Sequence, residues 1–285
     1  MPPKNKLGAI VPFEFLPEGR PLAVAEPHPK TSSFVIVSGR PGSGKTTLIL
    51  NLLCRPRHLG QKFERVFIVS PSLTSIGHKD LFAGIPQNQI YDDLTEDTID
   101  AITDTVHNEC QGERCLLVVD DCVNQLHEHK IMKKLARFIF NRRHMCSING
   151  EPGFMSVLLS TQVLNRVPLL IRKQASQCYI FPTRAAREID SIRTEMVPTT
   201  QQNLKSILKT AWRDEHSPLL VDADRHRFYG IGPDGEFFRI ASQDDMDFNQ
   251  LVHGGAAGEC EPASEDIDPV ERARRATVDN YYKHG

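Results

Sequence analysis

One glycine-rich segment constrains the fold of this chain more than any other feature of its sequence. The segment reads Gly39-Arg40-Pro41-Gly42-Ser43-Gly44-Lys45-Thr46, which is the full Walker A pattern Gly-x-x-x-x-Gly-Lys-(Ser/Thr). An apolar, uncharged run typical of a buried strand, Phe34–Ser38, precedes it, and Thr46–Leu53 has the pattern of a helix. A loop of this kind between a strand and a helix predicts a phosphate-binding loop.

Each kind of residue in the loop has its own part in binding a nucleotide. The glycines let the backbone turn its N–H groups inward and approach phosphates closely, and the following helix contributes the positive end of its dipole. Lys45 is expected to reach the β- and γ-phosphates, and the Thr46 hydroxyl is expected to bind Mg²⁺. We therefore expect residues 39–46, together with Thr47, to bind ATP and Mg²⁺.

Two adjacent carboxylates follow another apolar run. Cys115–Val119 has the pattern of a buried strand, and Asp120 and Asp121 come directly after it. An acid at the end of a parallel strand can reach Mg²⁺ bound at the phosphates, directly or through a water. We assign this Walker B role to Asp120, and to Asp121 we assign the orientation of the water that attacks the γ-phosphate. The pair predicts hydrolysis as the reaction.

A glutamine ends the next apolar run. Met155–Ser160 again has the pattern of a buried strand, and Gln162 lies just beyond it. Its amide could contact the γ-phosphate or the attacking water, or it could satisfy backbone groups of its own loop. The spacing alone leaves both interpretations open.

The alternation of apolar runs with amphipathic stretches predicts an α/β fold: a three-layer P-loop NTPase domain with a mostly parallel central sheet. The predicted strands of that sheet are Phe34–Ser38, Val66–Ser70, Cys115–Val119, Met155–Ser160 and Cys178–Phe181. Leu219–Asp222, Arg227–Ile231 and Glu236–Ile240 predict a small β-rich region near the C-terminal end of the domain. Helices are predicted from a Thr95 cap to Val106, over 185–196, and over 201–212 with Thr199 as the cap.

The domain organisation predicted from composition has three parts. Residues 1–30 form an N-terminal extension rich in proline and charge, 31–240 form the P-loop ATPase domain, and 241–285 form an acidic, flexible tail with a short helix over 270–280. No apolar run approaches the ~20 residues that span a bilayer, and the first residues lack the apolar stretch of a signal peptide. The seven cysteines are scattered without a Cys-x-x-Cys pair, which suggests neither a disulfide framework nor a zinc cluster and favours a reducing compartment.

The net charge of −2 argues against a general nucleic-acid coat but permits a local DNA contact. One basic stripe at helical spacing consists of Lys130, Lys133, Lys134, Arg137 and Asn141. It is either a solvated helix face or a surface that meets phosphates or a neighbouring subunit. The basic cluster Arg272, Arg274 and Arg275 is a weaker candidate.

An ordered series of motifs resembles one family. The series is Gly39–Thr46, Val66–Pro71, Val118–Asp121, Asn141–His144, Ser156–Gln162 and Val167–Arg172. It is similar to the poxvirus-type genome-packaging ATPases of large DNA viruses, virophages and related elements, within the FtsK–HerA group of DNA-pumping ATPases. The resemblance covers roughly residues 31–240, and its Arg-His, glutamine-ending strand and Pro-x-x-Ile-Arg elements are more specific than the Walker motifs.

The resemblance implies a ring-shaped homo-oligomer that hydrolyses ATP to move double-stranded DNA, without regard to its sequence, into a preformed capsid. It implies that Gln162 senses the γ-phosphate, that an arginine completes the neighbouring subunit's site, and that capsid or portal-vertex proteins are partners. Arg142, Arg143 and Arg172 are the candidate arginines, and Arg143 is preferred because it precedes His144. The expected location is the virus assembly site in the host cytoplasm or nucleus, with association with the virion.

Two other functions fit a phosphate-binding loop. A nucleotide or nucleoside kinase has the same loop, but here two acids stand where a water must be activated, and no substrate-binding lid is evident. A capsid or scaffold protein that binds nucleotide only for assembly would tolerate loss of Lys45, yet every hydrolytic residue is present. A regulatory GTPase fits less well, because the guanine-reading motif Asn/Thr-Lys-x-Asp is absent from the sequence.

Overall fold

The structure is a computed structural model that describes residues 20–71, 84–122, 125–147 and 152–242. Its strands are β1 (Phe34–Ser38), β2 (Arg65–Val69), β3 (Ile90–Tyr91), β4 (Arg114–Val119), β5 (Phe154–Thr161), β6 (Gln177–Ile180), β7 (Leu219–Asp222), β8 (Arg227–Ile231) and β9 (Phe237–Ser242). Its helices are α1 (Lys45–Cys54), α2 (Glu96–Glu109), α3 (His129–Asn141), α4 (Leu169–Arg172), α5 (Ala186–Ser191) and α6 (Gln201–Ala211). A π-helix, Ile192–Met196, continues α5.

All nine strands form one sheet, in the order β3-β2-β4-β5-β1-β6-β7-β8-β9. The strands from β3 to β6 pair in parallel, and β7, β8 and β9 continue the sheet by antiparallel pairing. The predicted mostly parallel sheet with a β-rich C-terminal end is thereby confirmed. The order also places β5 between β1 and β4, so the strand that ends near Gln162 separates the strand of the phosphate loop from the strand of the two acids.

The two faces of the sheet have separate hydrophobic cores. Successive residues of β4 point to opposite faces: Leu117 and Val119 pack with residues of α2, α3 and α6, while Leu116 and Val118 pack with residues of α1. The sheet is therefore the middle of three layers. Burial on both faces explains why the parallel strands appear in the sequence as continuous apolar runs instead of alternating ones.

The structure differs from the sequence predictions at several places, of which β3 and the cap of α6 are two. β3 was not predicted, because a strand of two residues is too short to show a periodic pattern. Thr200, instead of Thr199, caps α6: its hydroxyl accepts a hydrogen bond from the N–H of Asn203 at 3.2 Å. Thr95 caps α2 as predicted, accepting from the N–H of Thr98 at 3.0 Å.

Some predictions fall on residues that the structure does not describe. These are the first 19 residues of the extension, the tail from 243 onward, its helix over 270–280 and the terminal basic cluster. Ala241 and Ser242, the first two residues of the predicted tail, belong to β9, so the strand continues past the predicted end of the domain. In the described parts of the chain, no helix is long and apolar enough to cross a membrane.

The cysteines lie closer together in space than their scatter along the chain suggests. Cys110 follows α2, Cys115 is the second residue of β4, and Cys146 lies in the turn after α3. The parallel strands all begin at the same edge of the sheet, so α2 and α3 both end at that edge and bring these residues together. The scatter along the chain, which suggested no cluster, therefore does not describe how three of the cysteines lie in space.

A pair of buried histidines joins the segment before β1 to the body of the domain. His28 Nε2 and His58 Nδ1 are 2.8 Å apart, and both rings meet the ring of Phe237 edge to face. Burial, and then the proximity of His58, lower the pKa of His28 to about 4. The pKa of His58 is also lowered, by burial and by nearby Arg57. Both rings are therefore neutral in the folded protein at neutral pH.

We expect this pair to make the protein less stable in acid. His28 has a folded pKa of about 4 against a usual value of 6.5, so the unfolded chain binds the proton first as pH falls. The stabilisation is complete above about pH 6.5 and is lost towards about pH 4, by up to about 3 kcal/mol for His28 alone. Urea unfolding of the wild type and of His28→Gln at both ends of this range measures the effect. Equal pH dependence in the two proteins would contradict it.

Candidate nucleotide-binding and catalytic site

The phosphate loop joins β1 to α1 at the edge of the sheet where the parallel strands end. The N–H of Gly39 donates to the carbonyl of Thr161 at 3.1 Å, which ties the loop to β5. A Cβ on Gly39 would lie 2.5 Å from Ser43 Oγ and 2.7 Å from Phe181 Cβ, so only glycine fits there. Gly44 precedes α1 with φ of +100°, a conformation that side chains rarely adopt. Packing therefore requires glycine at position 39, and the backbone conformation favours glycine at position 44.

The remaining loop residues differ in exposure. Arg40, Pro41 and Gly42 are exposed on the outer curve, Ser43 is buried against the sheet, and Thr47 is exposed in the first turn of α1. Their placement agrees with a loop whose inner side faces the phosphates.

Lys45 folds back over the loop that precedes it. Its Nζ donates to the carbonyl oxygens of Gly39 at 2.6 Å and Arg40 at 3.2 Å. Burial holds the pKa of Lys45 below its usual value, although the nearby carboxylates of Asp120 and Asp121 act in the opposite direction. A buried cation held by carbonyl dipoles beside two acids is positioned to bind an anionic ligand in the loop.

Thr46 and Asp120 form the cation-binding half of the site. The Thr46 hydroxyl donates to Asp120 Oδ2 at 3.1 Å. Asp120 is 1% exposed, and its Oδ1 has no partner among the described residues. A buried carboxylate oxygen is costly without a donor or a cation, and oxygen ligands of this kind are those that Mg²⁺ prefers. These two residues fit the predicted magnesium site.

Asp121 and Gln162 face each other at the ends of neighbouring strands. Gln162 Nε2 is 3.5 Å from Asp121 Oδ1, at the outer limit for a hydrogen bond. Asp121 has φ of +56°, in the left-handed region that aspartate and asparagine tolerate better than most residues. Because β5 lies next to β4, both side chains reach the same small space and can share a water molecule.

A segment far along the chain covers the loop. His216 Nδ1 is 3.1 Å from the carbonyl oxygen of Ser43, and Glu215 forms an exposed ion pair with Arg40 at 3.0 Å. A cavity of about 620 Å³ lies on the α1 side, between Thr47, Leu48, Asn51, Pro218, Ile231 and Pro233. A second cavity of about 550 Å³ is lined by Arg40, Gln162, Phe181, Thr183 and Arg184. Both have the size of small-molecule sites.

The sequence reasoning did not find this covering segment. His216 lies 173 positions from Ser43, and no local pattern around it indicates a contact with the loop.

Two of the three candidate arginines are buried within their own subunit. Arg172 pairs with Glu195 at 2.8 and 2.9 Å and donates to the carbonyl of Val167 at 2.7 Å. Arg142 is 3% exposed and donates to the carbonyl of Ile139 at 2.9 Å. Neither can reach another subunit without leaving these buried partners, which argues against a trans role for both.

Arg143 is exposed in the turn after α3, at the opposite edge of the sheet from the loop. The carbonyl of Arg142, its neighbour, accepts from the N–H of Met155 near the start of β5, whereas Thr161 ends β5 beside the loop. Six residues of extended strand span about 20 Å. Arg143 therefore does not reach its own phosphate loop.

The predicted basic stripe lies on the outer face of α3. Lys130, Lys133, Arg137 and Asn141 are exposed, whereas the predicted apolar stripe of the helix, Ile131, Leu135, Phe138 and Ile139, is buried in the core. Lys134 forms ion pairs with Asp100 and Glu96 of α2. The placement of the stripe agrees with the prediction, and its contact with DNA stays a prediction.

The NB-ARC domain family model matches residues 24–137. This range is less than half of the chain, but it includes the phosphate loop and both acids. No curated protein matched the sequence.

Solved structures match over most of the described fold. The genome packaging NTPase B204 from Sulfolobus turreted icosahedral virus 2, in complex with sulfate, is 18% identical, with 74% of this chain and 96% of that chain covered and a TM-score of 0.50. The DNA-packaging ATPase B204 from Sulfolobus turreted icosahedral virus is 17% identical, with 74% and 97% covered and a TM-score of 0.49. At such identities the likeness concerns the fold. The chain thus has a P-loop NTPase fold that resembles the fold of a viral genome packaging NTPase.

Proposed function

We propose that this protein is an ATP-hydrolysing motor that moves double-stranded DNA into a preformed capsid. One observation carries the proposal: the sheet order brings Gln162 to 3.5 Å from Asp121. Two polar groups at this place suit the orientation of a water molecule, whereas a kinase must keep water away from the γ-phosphate. The likeness in fold to the genome packaging NTPase supports the choice of DNA as the substrate that is moved.

The site residues have the following roles in this proposal. Lys45 exchanges its contacts with the loop carbonyls for contacts with the β- and γ-phosphates of ATP. Thr46 and Asp120 would hold Mg²⁺, which when bound would supply positive charge beside the phosphates. Asp121 accepts a hydrogen bond from the attacking water and orients it, and Gln162 contacts the same water or the γ-phosphate. Gln162 links the state of the nucleotide to β5 and to the segment that follows it.

The proposal includes a ring-shaped assembly of several copies of the chain. A motor that grips the DNA backbone without reading bases needs phosphate contacts from several subunits, which favours a ring-shaped homo-oligomer. Capsid or portal-vertex proteins would recruit that ring at the virus assembly site, in the cytoplasm or nucleus of the host. The exposed stripe on α3 is one candidate surface for DNA or for the neighbouring subunit.

ATP hydrolysis by the purified full-length protein, with and without long double-stranded DNA, tests the proposal. We expect DNA of any sequence to stimulate turnover, and we expect the stimulation to weaken as salt rises, because phosphate contacts release counterions. Turnover that is indifferent to DNA would contradict a motor. Transfer of phosphate to a small acceptor in place of water would favour a kinase.

Mixed oligomers test the role of Arg143. Lys45→Ala subunits lack their own site but supply an arginine, and Arg143→Ala subunits have the opposite defect. We expect a mixture to regain part of the wild-type turnover, because some interfaces then combine an intact site with an intact arginine. Titration of one variant into the other at constant total protein measures this recovery. Absence of recovery at every ratio would contradict the role of Arg143.

A further inference from the structure

Three cysteines and one glutamate converge at the edge of the sheet opposite the phosphate loop. The Sγ atoms of Cys110 and Cys115 and a carboxylate oxygen of Glu113 all lie within 4.8 Å of one another. The thiol of Cys146, in the turn after α3, is a neighbour of Cys115 but is not part of this group of three. All three cysteines are fully buried, with 0% exposure. Three potential ligands, with a fourth thiol beside Cys115, thus meet in a largely buried space that has no part in the nucleotide site.

The distances and the spacing suit a tetrahedral metal site. Zinc bonds of about 2.3 Å to sulfur and about 2.0–2.2 Å to oxygen place neighbouring ligand atoms about 3.5–3.8 Å apart. Cys115 Sγ and Glu113 Oε2 are 3.9 Å apart, close to that separation. Four residues separate Cys110 from Cys115, a spacing within the range of structural zinc sites. A search for Cys-x-x-Cys alone overlooks this pattern.

The surroundings of the cluster also fit a metal. Arg65 Nε donates to Glu113 Oε2 at 3.1 Å, and Arg65 Nη1 pairs with Glu109 at 2.9 Å. Three thiolates and a carboxylate around a divalent cation carry a net negative charge, and the guanidinium offsets part of it. A partner that orients a ligating carboxylate in this way is typical of metal sites.

The backbone around the cluster is fixed by close contacts. The N–H of Gly112 donates to the carbonyl of Cys146 at 2.9 Å, which joins the segment after α2 to the turn after α3. A Cβ on Gly153 would lie 2.5 Å from the carbonyl oxygen of Cys146 and 2.7 Å from that of Glu113. Glycine at this position lets three segments pack around the cluster, so the backbone that bears the ligands is fixed before any metal binds.

From these observations we infer that Cys110, Glu113, Cys115 and Cys146 bind one zinc ion. The ion joins the end of α2, the start of β4 and the turn after α3. That turn also contains Arg143, so the metal would hold in place the segment that presents this arginine. The site stands on the cluster itself and does not depend on the proposed motor activity.

Metal analysis of the full-length protein tests the site. The protein is expressed without an affinity tag, purified without chelator, and its zinc is measured by mass spectrometry. We expect about one zinc per chain, because tetrahedral thiolate sites bind zinc tightly at neutral pH. Cobalt(II) added to the zinc-free protein is expected to give the absorption of a tetrahedral thiolate site. Wild-type protein with neither zinc nor this cobalt spectrum would overturn the inference.

Substitutions in the cluster distinguish a metal site from thiols that are only packed together. Cys115→Ser and Cys146→Ser should lose the zinc, and Glu113→Gln, which keeps the shape of the side chain, should weaken zinc binding at least about tenfold. Cys178→Ser is the matched control, because Cys178 is equally buried but lies in β6, away from the cluster. Loss of zinc from the control as well, or its retention in the cluster variants, would contradict the assignment.

A count of free thiols tests whether two of the cysteines form a disulfide in place of a metal site. Titration of the unfolded protein without reductant should find seven free thiols once the metal is chelated, the number of cysteines in the sequence. Five thiols would indicate a disulfide within the cluster and would overturn the metal site. Neither metal content nor thiol count depends on ATP turnover, so failure of this inference is distinct from failure of the proposed function.

Discussion

Replacement of Lys45 by alanine is expected to lower ATP turnover at least about 10²-fold, in line with the loss of one group that stabilises transition-state charge. The Nζ of Lys45 is the cation that lies against the carbonyls of Gly39 and Arg40, inside the phosphate loop. Without it, the charge that develops on the γ-phosphate loses its partner, and the affinity for ATP should fall as well. Steady-state hydrolysis and equilibrium binding of a fluorescent ATP analogue measure the two effects.

The fold should survive this substitution. Burial already lowers the pKa of Lys45, so the folded protein holds its charged form at some cost. Lys209→Ala is the control, because Lys209 is exposed on α6 and far along the chain from the loop. Wild-type turnover by Lys45→Ala would refute the assignment of the site. Equal losses in both variants would point to a general effect of lost charge.

The parts of the structure that the sequence predicts well depend on local patterns. The loop pattern of 39–46 is read from eight consecutive residues, and β1 has the predicted bounds because a buried parallel strand is a continuous apolar run. β7 and β8 also have the predicted bounds, since turn residues delimit them. In each case the physical cause lies within a few residues of its effect.

The parts that the sequence does not predict depend on which elements become neighbours. The position of β5 between β1 and β4 cannot be derived from the sequence of any single strand. It nevertheless determines that Gln162 lies 3.5 Å from Asp121. The spacing alone does not distinguish an amide of Gln162 that contacts the γ-phosphate or the attacking water from one that satisfies backbone groups of its own loop. The placement of Cys110 and Cys146 on either side of Cys115 likewise depends on two helices that end at one edge of the sheet.

The directions of the Arg142 and Arg143 side chains also cannot be predicted from the sequence. Arg142 and Arg143 are alike in type and position, but Arg142 points into the protein and binds the carbonyl of Ile139, whereas Arg143 is exposed. The direction of a side chain after the last turn of a helix depends on how the chain leaves that helix. The apolar pattern of α3 ends before this point and gives no information about it.

Replacement of Asp121 by asparagine is expected to keep ATP binding and to lower hydrolysis by about 10²–10⁴-fold, the range typical of a lost general base. Asparagine has the same shape as aspartate and also tolerates the left-handed conformation at φ of +56°. The substitution therefore removes the charge without strain in the backbone. Single-turnover hydrolysis and binding of the ATP analogue, measured on the same preparation, separate the two steps.

The same variant distinguishes the roles of the two acids. Asp120 is buried and accepts from the Thr46 hydroxyl, so Asp120→Asn should weaken Mg²⁺-dependent binding of ATP, whereas Asp121→Asn should leave that binding intact. Asp100→Asn, which removes an exposed carboxylate paired with Lys134, is the control for charge. If Asp121→Asn loses binding and hydrolysis to the same extent, Asp121 contributes to the metal site and the attacking water must be oriented by another group. If hydrolysis alone is lost, the water lies where Asp121 and Gln162 face each other, at the junction of β4 and β5.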